Sequence, residues 1–222
     1  MKNSELLRLA ARDLQSLDVP CFFFGGTVVG IHLDMLPSDD EERPTVDVDC
    51  VPTGVASRAE MLTLEARLDR FGWRHDLRPD RRNAHARIAP SGVPVDLVPL
   101  HTLHDDDPVR LGRSVAVELA PGEVVSILDS AAMVAAKLAA FRDRGSADPL
   151  MSHDLEDLTM LLSCCSTIEA TLGTADARLR RRVREGLRAL RADTFVLEVL
   201  DGSVPRGIDS AQVIARVERL SR

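Results

Sequence analysis

Thr45-Val46-Asp47-Val48-Asp49-Cys50-Val51 is the stretch on which the reading of this chain turns. As a strand its side chains alternate, so Val46, Val48 and Cys50 point to one face and Asp47 and Asp49 to the other. The Cα atoms of two such aspartates lie roughly 6–7 Å apart, close enough for the carboxylates to repel unless a cation sits between them. A hard divalent ion such as Mg²⁺ fits that need, because it binds through one or two carboxylates together with substrate phosphates. An edge strand with a solvated polar face is the competing reading.

Upstream, Phe22-Phe23-Phe24-Gly25-Gly26-Thr27 runs from an apolar strand, Val19 to Phe24, into a helix expected over Thr27 to Leu36. Glycines at such a turn let backbone approach a ligand closely, and Thr27 adds a hydroxyl. Downstream, Val93-Pro94-Val95-Asp96-Leu97-Val98 is a β-prone run with a single charge. An ionised carboxylate there is costly unless it coordinates a metal or meets a buried arginine.

Around these segments the apolar spacing predicts helices over residues 3–17 and 56–71, and short strands over Trp73–Leu77 and His85–Ala89. Pro37 to Pro44 reads as an acidic loop and His101 to Gly112 as a charged loop at a domain boundary. Val115–Leu119 and Val124–Leu128 read as strands or a β-linker. Beyond them the pattern turns helical: Ala131 to about Arg142 behind a cap at Asp129 or Ser130, His153–Leu162 behind Ser152, then Arg178–Leu190 and Ser210–Leu220. The expected fold class is α+β, a mixed sheet with helices on its face followed by a C-terminal helical domain. The expected division is 1–112 and 113–222.

The 222 residues, 45% hydrophobic and 28% charged, suit a globular protein with a real core. No apolar run approaches the roughly 18 residues of a membrane span, and charge mixed into the first residues argues against a signal peptide. A cytoplasmic protein without a membrane partner is expected. Cys21, Cys50, Cys164 and Cys165 have neither zinc-site nor disulfide-framework spacing and read as buried thiols. A net charge of −7 gives no general attraction for nucleic acid. The arginines at 178, 180, 181, 182, 184, 188 and 191 could form an RNA face or a solvated helix surface. With aromatics at 3% and none among these arginines, stacking on bases has little to work with. Arginine is used almost everywhere; Lys2 and Lys137 are the two lysines, and Lys137 stands in an apolar helix. A compact ammonium, or an ordinary snorkelling side chain, would explain it.

Taken together, the glycine turn, Arg43-Pro44-Thr45, Asp47-x-Asp49 and the later Asp96 resemble the DNA-polymerase-β-like nucleotidyltransferase superfamily. Within it the chain is most similar to the AbiEii/AbiGii-type toxin nucleotidyltransferases. The likeness extends to Lys137-Leu138, Arg142 or Arg144, and Asp154-Leu155-Glu156-Asp157-Leu158, covering roughly residues 20 to 163. Thr27 stands where many members have serine. The resemblance implies an enzyme that moves a nucleoside monophosphate from an NTP, ATP among them, to an acceptor hydroxyl. Asp47, Asp49 and Asp96 would hold Mg²⁺ (or Mn²⁺), with Asp96 also serving the attacking oxygen. Gly25, Gly26, Thr27, Arg43, Thr45 and Lys137 would bind the nucleotide. RNA, such as a tRNA 3′ end, would be the acceptor in a toxin setting with an antitoxin protein as partner. A small hydroxylated molecule or a protein is the alternative acceptor, and a non-catalytic nucleotide-binding relative is a third reading. Asp154 and Asp157 read as structural partners of Lys137 or Arg142. His85, Arg82 and Arg87 could flank the nucleotide or form a solvated strand edge.

Overall fold

The structure is a computed structural model and describes residues 1–37, 43–78 and 84–222. The described chain forms two compact units. The first comprises Met1–Gly30, Pro44–Asp105 and Ser114–Leu128; the second comprises Ile31–Arg43, Asp106–Arg113 and Asp129–Arg222.

The first unit is built on a seven-stranded mixed sheet. In chain order its elements are α1 (Asn3–Gln15), β1 (Cys21–Phe24), α2 (Gly26–Val29), β2 (Val48–Pro52), α3 (Arg58–Arg70), β3 (Arg74–His75), β4 (Ala86–Ile88) and β5 (Pro94–Leu97). With α4 (Pro108–Leu111) intervening in sequence, β6 (Ser114–Ala120) and β7 (Glu123–Leu128) complete it. The strand order is β3-β4-β5-β2-β1-β7-β6. β1 runs antiparallel to β2, while β2–β5 and β1–β7 are parallel. The segment 115–128, open in sequence between strands and a linker, is the outer hairpin of the sheet.

Two rows of side chains cross the sheet. Phe23, Cys50 and Leu97 are matched in register and buried; so are Val48 and Val95, with Arg87 beyond them. The next residues along, Phe24, Asp49, Asp96 and Ala86, form a row on the opposite face. α3 lies on the Arg87 side, since Glu65 of that helix sits 2.8 Å from the Arg87 guanidinium. α1 packs its buried stripe, Leu7, Ala10 and Leu14, and lies against α2 and β2. Arg8 and Arg12 on its outer side pair with Glu123.

Sequence and structure differ at several ends. β2 starts at Val48 rather than Thr45, so Val46 does not share the buried face of Val48 and Cys50; it is 68% exposed. The cause is a partner remote in sequence: the Thr45 N–H donates to Asn3 Oδ1 at 3.0 Å, which ties this stretch to α1, with a bend at Val46. The helix expected over Thr27–Leu36 is one short turn, followed by a 3₁₀ turn at Gly30–His32. The acidic stretch 38–42 lies outside the described residues.

The second unit is helical: α4, α5 (Ser130–Ala140), α6 (His153–Cys164), α7 (Ile168–Gly173), α8 (Ala177–Ala192), α9 (Thr194–Gly202) and α10 (Ser210–Leu220). α5 is its centre, apolar on nearly every side and packed by α6, α7 and α8. Its N-cap is Asp129, which accepts the Ala132 N–H at 2.9 Å, and it ends in a π-helical turn, Phe141–Gly145. α7 and α9 escaped the periodicity reading because they are short. Aspartate caps mark α8, α9 and α10: Asp176, Asp193 and Asp209 each accept a backbone N–H of the first turn. Among the described residues no helix is long and apolar enough to cross a membrane.

Candidate functional site

Asp49 and Asp96 are register partners on adjacent parallel strands. Their Cα atoms therefore lie about 5 Å apart and their side chains leave the same face of the sheet. Both are half-buried, as is Asp47, which lies just ahead of β2. Phe24 is the register partner of Asp49 on the other side, so the glycine turn that follows Phe24 sits directly beside this carboxylate. A Cβ built on Gly25 would fall 1.9 Å from Asp49 Oδ2. Gly25 also has φ +79° and ψ −162°, a conformation essentially reserved for glycine. Two separate constraints thus keep residue 25 without a side chain, and both bring backbone against the acid.

The neighbourhood is electrostatically negative. The buried Cys50 thiol is pushed well above its usual range, first by its contact with Cys21, then by burial, and further by the charges of Asp49 and Asp96. Cys50 is therefore held as a neutral thiol, and a nucleophilic role for it is poor chemistry. Next to the turn, Thr27 is 1% exposed and its Oγ1 has no hydrogen-bond partner among the described residues. A buried hydroxyl in that state is costly unless something satisfies it.

Among the described residues no group of three or more His, Cys, Asp or Glu side chains is already gathered to hold a metal ion. Mg²⁺ does not require one, since one or two protein carboxylates suffice when substrate phosphates complete the shell. Asp49 and Asp96 meet that condition: hard oxygen donors, matched in register, on one face. Asp47 precedes them from outside the strand.

The remaining expected site residues fall in the second unit or in structural roles. Arg43 and Lys137, distant in sequence, meet on one carboxylate. Asp157 Oδ2 lies 2.6 Å from Lys137 Nζ and 3.1 Å from Arg43 Nη2. Lys137 also reaches Asp154 at 3.3 Å, and Arg144 grips that residue at 2.6 Å. Lys137, Asp154 and Asp157 are all buried. Burial alone would raise the Asp154 pKa, but the Arg144 hydrogen bonds and the Lys137 charge outweigh it and lower the net value. Of the two partners expected for these acids, Lys137 is bound to both, whereas Arg142 faces Asp143. Thr45 spends its N–H on Asn3 and its hydroxyl lies 3.4 Å from the Asp47 carbonyl, an arrangement that sets where Asp47 begins.

His85 and Arg87 are not a solvated edge. Both contact Glu65, at 2.9 Å and 2.8 Å, and Arg87 is fully buried with Nη1 2.6 Å from His75 Nδ1. They lie on the face away from Asp49 and Asp96; Arg82 lies outside the described residues. The arginines of α8 are largely engaged within the chain. Arg178 and Arg182 face Asp106, Arg180 holds the Ala175 carbonyl, and Arg188 and Arg191 hold the end of α10 through Ser221.

No family model and no curated protein sequence matches the chain. Solved structures do. An antigenic nucleotidyltransferase-like protein from Paracoccidioides brasiliensis superposes with a TM-score of 0.55 at 14% identity, covering 92% of this chain and 94% of that one. ANT(2″)-Ia in complex with adenylyl-2″-tobramycin gives 0.51 at 12% identity, covering 82% and 97%. A solution structure of the antibiotic-resistance factor ANT(2″)-Ia gives 0.52 at 13%, covering 86% and 95%. The α+β fold of this chain is thus one that nucleotidyltransferase-like proteins share.

Proposed function

We propose that the chain is a divalent-metal-dependent nucleotidyltransferase that moves a nucleoside monophosphate from an NTP to an acceptor hydroxyl. The observation that carries this reading is the register pairing of Asp49 with Asp96 beside the Gly25 turn. Asp47, Asp49 and Asp96 would hold Mg²⁺ (or Mn²⁺), which supplies charge neutralisation for the phosphates and lowers the pKa of a bound hydroxyl. Asp96, second in the pair, would orient the attacking oxygen and take its proton. Gly25 and Gly26 offer close backbone, and the unsatisfied Thr27 hydroxyl offers a donor to the outer phosphates. Lys137 and Arg43 are held together by Asp157, and their expected part in binding the nucleotide rests on the sequence resemblance; Thr45 would position Asp47. Such transfers depend mainly on placement and charge compensation, which is what this arrangement offers.

For the donor we favour ATP, and for the acceptor a small cationic hydroxylated molecule. ANT(2″)-Ia, similar in fold, was solved with an adenylylated tobramycin. The net charge of −7 suits a cationic acceptor, and several of the α8 arginines, Arg180, Arg188 and Arg191 among them, make hydrogen bonds within the chain. Transfer to RNA in a toxin role, with an antitoxin partner, rests on the sequence resemblance alone.

The test is incubation with each α-labelled NTP, Mg²⁺, and either an aminoglycoside panel or total RNA, for wild type and Asp49→Ala. Label from ATP should appear on a small molecule with wild type and not with the variant, whose circular dichroism should be unchanged. Label on RNA would overturn the acceptor assignment. Equal labelling by both proteins would overturn the mechanism.

A further inference from the structure

We propose that Asn3 is a positioning residue for the divalent-metal site: acting through Thr45, it fixes where Asp47 stands ahead of Asp49. The inference rests on the nucleotidyl-transfer reading above and adds a residue to it. Its starting point is the place where the sheet stops. The ladder around β2 begins at Val48, paired with Val95, and at Asp49, paired with Phe24. On the first flank β5 opens at Pro94, which has no N–H to offer a neighbouring strand. On the second flank Phe24 is the last residue of β1, and the chain turns away at Gly25. Thr45, Val46 and Asp47 therefore lie outside any strand. A carboxylate in such a stretch serves a metal well only if a rigid element holds it in place.

α1 is that element. The Thr45 N–H donates to Asn3 Oδ1 at 3.0 Å. The Thr45 hydroxyl lies 3.5 Å from the same oxygen and 3.4 Å from the Asp47 carbonyl. Asn3 is 2% exposed and stands in the first turn of a helix whose Leu6, Leu7 and Ala10 are buried, so the acceptor is anchored. The residue type is informative. Asparagine suits the cap position of a helix and is a weak former inside one. Here Lys2 takes the cap position with no side-chain cap bond, and Asn3 follows inside the helix. A buried amide is costly unless hydrogen-bonded, and the Thr45 N–H meets that requirement for its oxygen.

The consequence is a division of labour. Asp49 and Asp96 are set by the sheet; Asp47 is set by the helix through Thr45. Removing the Asn3 acceptor frees residues 45–47 to take several directions, of which only some bring Asp47 to the ion. The loss falls on metal affinity, where partners that orient a ligand are worth about 10–100-fold. The rate at saturating metal is largely kept. A residue that only stabilises the fold would not raise the metal requirement in this way.

The probe is Mn²⁺ with α,β-methylene-ATP, free Mn²⁺ being counted by electron paramagnetic resonance, for wild type, Asn3→Ala, Asn3→Asp and Asp49→Ala. Asn3→Ala should bind Mn²⁺ about tenfold more weakly. Asn3→Asp, which keeps an oxygen acceptor, should bind no more weakly than wild type. In the transfer assay, raised Mg²⁺ should restore Asn3→Ala and leave Asp49→Ala inactive. Mn²⁺ binding lost in Asp49→Ala but unchanged in Asn3→Ala would overturn the role of Asn3 alone. So would weaker binding by Asn3→Asp, or an Asn3→Ala rate that stays low at every Mg²⁺ concentration. Wild type that binds no Mn²⁺, or binds it no better than Asp49→Ala, would remove the nucleotidyl-transfer reading and this inference with it.

Discussion

Gly25 and Asp49 are packed so tightly that any side chain on residue 25 would have to occupy the place of the Asp49 carboxylate. Glycine is therefore required by the acid as well as by its own backbone angles. Gly25→Ala should lower stability by about 1–3 kcal/mol, the usual cost of forcing a side chain into such a conformation. It should also displace Asp49 and abolish nucleotidyl transfer. Equilibrium urea unfolding with a parallel activity assay checks both; an alanine variant with wild-type midpoint and rate would refute the packing argument.

Lys137 is gripped by Asp154 and Asp157, with Arg144 and Arg43 on their other sides. Because each acid keeps an arginine, Lys137→Met should cost only about 1–3 kcal/mol, the loss of charge-assisted hydrogen bonds rather than of the whole network. If Lys137 also serves the triphosphate, KM for the nucleotide should rise well beyond what that loss of stability explains. Steady-state kinetics at a temperature where the variant is fully folded separates the two effects.

The Arg87 guanidinium is fully buried and, among the described residues, pairs with Glu65. Glu65→Leu should therefore be expensive, about 3–5 kcal/mol, because it strands a buried charge. The double variant Glu65→Leu with Arg87→Met should recover much of that loss. Chemical denaturation of the four proteins of this cycle gives the coupling; additive effects would show that the pair is not energetically linked.

Glu169 sets an acid dependence. Burial alone would raise its pKa, but hydrogen bonds from Arg216 and Arg219 bring it down from 4.5 to about 2. A carboxylate lowered on folding stabilises the protein above its unfolded pKa and loses that contribution as pH falls toward the folded value. Melting temperature should thus decline between about pH 4.5 and pH 2, more steeply in wild type than in Glu169→Gln. Parallel slopes would place the acid sensitivity elsewhere.

Much of this was legible from the residues. Alternation over Thr45–Val51 marked a strand, of which Val48–Val51 lie in β2, and the β-prone run Val93–Val98 marked a second, β5. Asp129 and Ser152 announced their helices by capping chemistry. What escaped depends on partners remote in sequence. Val46 looks like a core residue until Asn3 bends the chain beside it, and Arg87 looks like an edge residue until α3 delivers Glu65. The partners of Arg43 could not be read at all, because Asp157 lies on a helix far along the chain. α9 was readable in principle: Asp193 before Thr194-Phe195-Val196-Leu197 is a capped apolar turn, only too short for periodicity to register.

The parallel pairing of Phe23 with Ile127 also has a bearing on how the protein is made. A nascent chain emerging from the ribosome can zip β1 to β2 early, yet the other flank of β1 stays bare until residue 127 appears. During that interval an aromatic, β-prone edge is open to neighbouring polypeptides. Slow translation ahead of Ser114, or a stop codon there, should consequently favour inclusion bodies over native protein, and the Ser114–Leu128 hairpin serves as the closing clasp of synthesis.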